Sequence, residues 1–566
     1  MKKKLIALLL SATMITGMLS GCGNDAETPT VTDTAGSSTD DSTEAVLDLD
    51  PVTFTFYNAD GSEEDPWTDP VALAITEATG VTLNMDYPVD GTDERISLMI
   101  AEGRYPDLIF AKGGAASLVE AGALIDMTEL IEEYGPNIKA LYGDQYHKLR
   151  YSSETEAIYQ LCSNGVGSTS LESSGTSQLQ FDVLAYNDYK VPESLEELES
   201  LIKAYMADNP TIDGLNTIGI SISVSDWHWY ITLANPAGFI ADASPDNGQW
   251  IINDADNYSA VYKHTTEEEK EYFEWLNRMY LEGILDSDFA TQTHDDYLAK
   301  ISTGRVLCLL DANWDYADAE RILENDGKFG RTYAGLPLTM TEETKAASLM
   351  DQGLNVGWGV GISVDCKDPV RAIQFIDWLC TDEAQVLVNW GIEDVNYFVD
   401  ENGMRYRTEE EINASNTDID YKKTTGVGYH NYPFPAYGTG VEDPTGNTYT
   451  TKSKKSVTDE YNIAEKAAVD AWGVEMLIDI FPQPEEFAIP DYSPVWAQNL
   501  PSEFNDIATV LDDYAWTGLI KCVSAAEGQF EAEWEKLQSN LKNAGVTEAE
   551  EMLTKLIRNQ VAFWSE

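Results

Sequence analysis

From Val52 the chain alternates apolar and polar positions. VTFTFYNAD reads as a strand that runs into a loop at Asn58. The next stretch, DPVALAITEATG, has a helical pattern and stops at Gly80. VTLNMDY returns to a period of two, with Val81, Leu83, Met85 and Tyr87 on one face. DERISLMIAEG predicts a short helix ending at Gly103, PDLIF a short buried strand, and GAASLVEAGALIDMTELIEEYG a mostly helical segment. This β-α-β-α-β order predicts a sheet whose strands are joined by crossover helices.

The same alternation of element types continues. VPESLEELESLIKAYM opens with Ser194 and Glu197 in capping-box spacing, followed by Leu195, Leu198, Leu201, Ile202 and Tyr205 at the helical period. EEEKEYFEWLNRMYLEGIL predicts a long amphipathic helix with its stop at Gly283. RVLCLLDANW is a buried strand leading into a loop, and WGVGISVDC is another strand. Asp368 and Pro369 then suit the cap and first turn of the helix VRAIQFIDWLC. Beyond about residue 396 the pattern gives way to Tyr-, Pro- and Asn-rich loops, and helices return after about 500. No internal repeat is visible.

Length and charge narrow the classes. A chain of 566 residues is too long for one core and predicts two large lobes or several domains. The balance of 35 basic against 98 acidic residues opposes sequence-independent binding of nucleic acid and purely electrostatic adhesion to anionic lipid. At the N-terminus, three lysines precede an apolar run from Leu5 to about Leu19, the arrangement of a secretory signal over residues 1–21. Its end, Leu19-Ser20-Gly21-Cys22, resembles the bacterial lipobox, which implies that Cys22 carries a lipid and becomes the mature N-terminus. Residues 22–50 are rich in Thr, Ser and Asp and poor in large apolar side chains, so they read as a disordered tether. No later stretch has the length and apolarity of a spanning helix, which leaves an anchored rather than a membrane-spanning protein. The other five cysteines have long irregular spacings, and no disulfide is expected. Cys366 and Cys380 flank one predicted helix, about 20 Å apart at its rise per residue.

Catalytic signatures do not accumulate. The five histidines (147, 228, 264, 294 and 430) are scattered, with no HExxH or other metal spacing, and no Gly-x-Ser-x-Gly elbow occurs. AKGGAAS is Gly-rich but lacks the Lys-Ser/Thr of a phosphate-binding loop. Among 98 acids a glycosidase carboxylate pair cannot be singled out by sequence. The chain reads as a non-enzyme without a cofactor. A secreted glycan-active enzyme and a non-transport glycan adhesin remain the alternatives.

Several segments in order resemble the extracellular family 1 solute-binding proteins of ABC importers, especially their larger lipoprotein members. EGRYPDLIF is similar to the family's Gly-x-x-Pro-Asp-[Leu/Ile]-Ile-Phe segment. LNRMYLEGILDSDFATQTHDDYLAKISTGRVLCLLDANW is similar to its helix, turn and strand ending in Asn-Trp. GISVDCKDPVRAIQFIDWLCTDEAQVLVNWGIEDVNY and the closing FEAEWEKLQSNLKNAGVTEAEEMLTKLIRNQVAFW also match family patterns. The resemblance implies an α/β, periplasmic-binding-protein-like type II fold with two lobes, a hinge and a cleft between them. It places 51–160 with 308–365 in one lobe and 163–305 with 366–500 in the other, with crossings near 160, 308 and 366. Residues 501–566 form a C-terminal helical region packed on the lobes.

It further implies a monomeric, lipid-anchored receptor on the extracellular face of the cell membrane. Such a receptor captures a carbohydrate, an oligosaccharide in view of the ring content, and passes it to ABC permease subunits; a peptide or lipopeptide is the alternative ligand. The ligand-binding candidates are Trp314 after the buried strand, Asn58 and Asp60 after the first strand, Lys112 after PDLIF, Trp358, and Trp390 with Tyr397 around GIEDVN. For SDWHWYITL the family layout suggests a helix capped by Asp226 and ended before Gly238. Residues two apart on a helix lie about 200° apart, so Trp227, with Tyr230 as the next candidate, faces the ligand while Trp229 packs inward with Leu233. Relatives often carry a calcium loop where this chain has ADNPTIDGLNTIGIS. Asp208, Asp213 and Asn216 are its candidates here, but Pro210 and Ile212 interrupt the ligand alternation, and no metal is expected.

Overall fold

Two sheets organise the chain. The first has the order Val81–Asp86, Val52–Asn58, Leu108–Phe110, Gly359–Ile362, Leu161–Cys162. Its first three strands are parallel, and Gly359–Ile362 runs antiparallel to both neighbours. The second has the order Tyr333–Leu336, Thr176–Gln180, Val306–Asp311, Ile218–Ser221. There only Val306–Asp311 and Ile218–Ser221 are parallel. This computed structural model describes residues 49–61, 66–88, 92–162, 165–173, 176–341 and 344–565. The signal segment 1–21, Cys22 and nearly all of the expected tether 22–50 lie outside the described residues. No helix among the described residues is long and apolar enough to cross a membrane.

The helices that join the strands start and stop where local chemistry directs. Asp69 caps Pro70–Thr79 by accepting from Ala72 N–H, and Gly80 ends it in the left-handed region at φ 70°. Asp368 caps Pro369–Leu379 through Arg371 N–H. Ser194 caps Leu195–Asp208 through Glu197 N–H, but the Glu197 carboxylate takes the N–H of Glu193, one residue before the cap. Glu267–Leu281 ends just before Gly283, at φ 72°. The five described cysteines are all free thiols.

Each sheet has its own core, and the cores divide the chain differently from the expected partition. All six residues of Val306–Asp311 are buried, so this strand needs cover on both faces. It lies inside the second sheet and packs with segments 179–289, not with 51–160. Conversely, the helix Pro369–Leu379, through Ala372, Ile373, Phe375 and Ile376, joins Gly359–Ile362 in the first core. That core continues to Tyr421, Val427 and Phe434. The chain passes between cores after Cys162, between Leu338 and Leu354, and between Tyr437 and Ala468, rather than near 308 and 366.

The expected loop region after 396 contains helices at Glu409–Thr417, Lys454–Glu460 and Ile463–Trp472. The first two bury no residue fully, so they leave no apolar period to read. The C-terminal helices Ser502–Val523, Phe530–Ala544 and Val546–Trp564 pack on the second core through Phe504, Leu511, Trp534, Leu553 and Ile557. Trp564 reaches the first core, where Lys148 Nζ lies 5.0 Å from its ring.

One partly buried acid gives the fold a pH signature. Glu320, on the helix Asn313–Asn325, accepts from Tyr333 N–H at 2.9 Å. Burial, aided by Glu324 and Glu465 and opposed by that bond, pushes its carboxyl from 4.5 up to about 8. The folded state therefore holds a proton that the unfolded state has released, and stability falls as pH rises from about 4.5 to about 8. Glu320→Gln keeps an acceptor for Tyr333 and removes this cost. In thermal melts it should exceed the wild type near pH 8 and converge with it below pH 4.5; a constant difference across that range would contradict the assignment.

Candidate functional site

In α/β sheets, ligands collect outside the carboxyl ends of parallel strands. In the second sheet Ile218–Ser221 and Val306–Asp311 run side by side, with Val306 opposite Ile218 and Leu309 opposite Ser221. The segments that leave these two ends carry Trp227 and Trp314. Both indoles are about half exposed, at 53% and 54%, unusually open for the largest side chain. Their centroids lie 6.2 Å apart and their planes are 7° from parallel. The two candidates, 87 positions apart in sequence, thus form one parallel aromatic pair whose rings are both half open to solvent.

The turn at Asp226 builds this surface. Its carboxylate accepts from His228 N–H at 3.0 Å and its carbonyl from Trp229 N–H at 3.1 Å. Trp229 turns inward, 2% exposed, parallel to Trp516 at 6.2 Å, and Leu233 lies fully buried in the same core. The segment is not a simple α-helix. Tyr230–Ala234 makes a π-turn, followed by Asn235–Ala241, with Pro236 lacking the N–H that a regular ladder would use. Gly238 does not follow the helix end as expected. It lies within the helix, packed beside the Lys263 side chain. Tyr230 is partly buried, and its hydroxyl donates to Asp512 at 3.0 Å.

Behind Trp227 sits a cluster that sequence reading missed. The His228 ring stacks on Trp227 at 3.9 Å and on His294 at 3.7 Å, the two imidazoles 8° from parallel. His228 Nδ1 lies 2.5 Å from Asp226 Oδ1, and its Nε2 lies 3.4 Å from Asp315 Oδ1. His294 Nε2 is 3.6 Å from the same oxygen. Burial opposes the charged form of His228, yet Asp315 and Asp226 outweigh it and raise its pKa. Burial lowers that of His294. Burial first, and then neighbouring Asp315, push the Asp311 carboxyl well up. The only sequence signal was Asp315 directly after Trp314; the histidines share no motif.

In the first sheet, Asn58 ends one parallel strand and Lys112 follows its neighbour Leu108–Phe110. Asn58 is buried and shapes its loop by accepting from Asp60 N–H at 2.9 Å. Asp60 pairs with Lys112 at 2.6 Å and accepts from Tyr432 Oη at 2.8 Å. Lys112, at φ 47°, places its ammonium 4.6 Å from the Trp358 ring centroid. Trp358 meets Trp496 edge-on at 4.7 Å, and Trp496 Nε1 donates to the Asp246 carbonyl at 2.9 Å. Lys112, Asp60 and Trp358 therefore lie together at the seam between the cores.

Two candidates are core instead. Trp390 and Tyr397 are 6% and 8% exposed and pack edge-on at 5.8 Å. Trp390 Nε1 donates to the Thr448 carbonyl, and Arg405 covers its ring at 5.5 Å. The calcium candidates form no shared cage. Asp213 and Gly214, both at positive φ, make the tight turn of a hairpin between Thr211–Ile212 and Leu215–Asn216. Asp213 faces outward onto Arg331, and Asp208 accepts from Tyr186.

Residues 71–390, more than half of the chain, match the family of bacterial extracellular solute-binding proteins. The chain belongs to this family. An HMO-binding, ABC-transporter-associated solute-binding protein from Bifidobacterium longum infantis superposes at TM-score 0.66 with 16% identity, covering 91% of this chain and 99% of that one. The S. pneumoniae ABC-transporter substrate-binding protein FusA, in complex with kestose, superposes at 0.64 with 16% identity over 89% and 99%. These likenesses establish the two-lobe, periplasmic-binding-protein-like fold. Among curated relatives, Lipoprotein LipO of Bacillus subtilis is 21% identical over 413 residues, 70% of this chain and 74% of LipO. An uncharacterized protein in the butB 5′ region of Niallia circulans is 23% identical over 160 residues, 27% of this chain; the match spans only 61% of that relative.

The split of the two tryptophans is directly testable. Trp229→Ala should cost about 3–5 kcal/mol in chemical denaturation, the range for deleting a buried aromatic. Trp227→Ala should cost well under half of that, because its ring already meets water. Equal losses would refute the inward and outward assignment.

Proposed function

We propose that this protein is the extracellular receptor of an ABC importer and that its ligand is an oligosaccharide. The observation that carries the reading is the pair of parallel, half-exposed indoles at the carboxyl ends of two adjacent parallel strands. Sugar rings present flat C–H faces that lie well on indole, and their hydroxyls suit the polar groups around it. The fold neighbours that bind HMO or kestose support the same ligand class. In this reading Trp227 and Trp314 stack the ligand, and the Lys112–Asp60 pair and Trp358 line the opposite lobe. Tyr230 holds Asp512 behind the platform. The lobes close over the bound sugar because the closed form makes more contacts with it. Cys22 carries the lipid that tethers the receptor to the outer face of the cell membrane, and the loaded form docks on the permease subunits as a monomer.

Isothermal titration of the full-length chain against panels of neutral oligosaccharides and peptides tests the ligand class. Binding of a glycan without hydrolysis supports the receptor; product formation would assign an enzyme, and a peptide hit would replace the ligand class. For the glycan that binds, Trp314→Ala and Trp227→Ala should each weaken affinity about tenfold or more, equivalent to about 1.4 kcal/mol. Small-angle scattering should show a smaller radius of gyration with ligand, and an unchanged radius would favour an adhesin. In cells, Cys22→Ala should move the protein from the membrane fraction to the medium.

A further inference from the structure

We infer that His228, His294 and Asp315 form a binding site for one borderline first-row divalent cation, with zinc as the reference ion, directly behind the Trp227–Trp314 surface. One ring nitrogen of each histidine and one oxygen of Asp315 lie within 4.8 Å of one another. The Asp315 Oδ1 to Nε2 distances of 3.4 and 3.6 Å match the edge of a coordination tetrahedron with metal–ligand bonds of about 2.1 Å, which is about 3.4 Å. Two imidazoles and a carboxylate suit zinc, cobalt or nickel far better than calcium or magnesium. The site is sheltered, because the Asp315 side chain is only 4% exposed and that of His228 10%.

The surrounding groups prepare it. Asp226 holds Nδ1 of His228 and so aims Nε2 at Asp315 Oδ1. This is the carboxylate–histidine arrangement that orients a metal ligand. A proton bridges that nitrogen and the carboxylate in the metal-free protein, and a metal ion that binds there takes its place. Two carboxylates, from Asp226 and Asp315, face His228, and Asp315 also faces His294, so the imidazoles and their anionic partners converge on one small space. The imidazoles lie face to face, and a shared ion requires one of them to tip. His228 is held by Asp226 and Trp227, whereas His294 Nδ1 is buried without a hydrogen-bond partner among the described residues. His294 is therefore the ring that moves. Three protein ligands leave a fourth position for a water or ligand oxygen, as in open zinc sites.

The experiment needs no knowledge of the solute and stands apart from the receptor reading. The full-length chain is freed of metal with chelator and titrated with zinc chloride by calorimetry. One ion per chain should bind, with a rise in melting temperature. His228→Gln and His294→Gln should each weaken this binding at least tenfold, whereas His147→Gln, outside the cluster, leaves it unchanged. Cobalt(II) added to the wild type should give the intense visible bands of four-coordinate cobalt with nitrogen ligands, a readout independent of whether a variant folds. Weak octahedral bands, no thermal shift, or a stoichiometry untouched by both histidine variants would overturn the site.

Discussion

The parallel pairing of Val306–Asp311 with Ile218–Ser221 is the constraint on which the site depends. A strand with six buried residues can only lie in the interior, flanked on both edges and covered on both faces. Once its register against Ile218–Ser221 is set, the segments after Asp311 and Ser221 must emerge together. That brings Trp314 beside Trp227, and Asp315 beside His228, from positions far apart in sequence. A one-residue slip would turn alternate side chains to the opposite face and separate them. The chemistry at the surface thus inherits its precision from main-chain hydrogen bonds in the core.

Much of this was legible in the sequence because it rests on local signals. The caps at Ser194 and Asp368 and the stops at Gly80 and Gly283 are written in single residues. The opposed facing of Trp227 and Trp229 follows from the turn at Asp226 alone. What was not legible depended on long-range pairing. The buried run VLCLLD announces a central strand but not which sheet receives it, and so the lobe boundaries around 308 and 366 were misplaced. Trp390 and Tyr397 carry the same side chains as a ligand platform. Only the covering Arg405 and the Thr448 carbonyl, both distant or loop-borne, mark them as core. The histidine cluster is the extreme case, since 66 positions separate His228 from His294 and no spacing rule joins them.

The seam between the cores has a different character from the aromatic surface. At Lys112, Asp60, Trp358 and Trp496, opposite charge, a cation–π contact and an edge-on ring pair are chained together. Individually such contacts contribute on the order of 1 kcal/mol or less when partly exposed. Their arrangement favours one relative placement of the lobes without fixing it rigidly.

The last helix adds a geometric condition. Val546–Trp564 is seated on the second core along most of its length, but Trp564 ends against Lys148 on the first. With the Trp358–Trp496 contact and the Ser502 Oγ–Glu120 hydrogen bond, the lobes touch through side chains at several separated points. A rigid-body rotation spares only the contacts close to its axis and must break the others. The final turn of the polypeptide, far from any strand, thus helps to decide which rotations are open to the two halves.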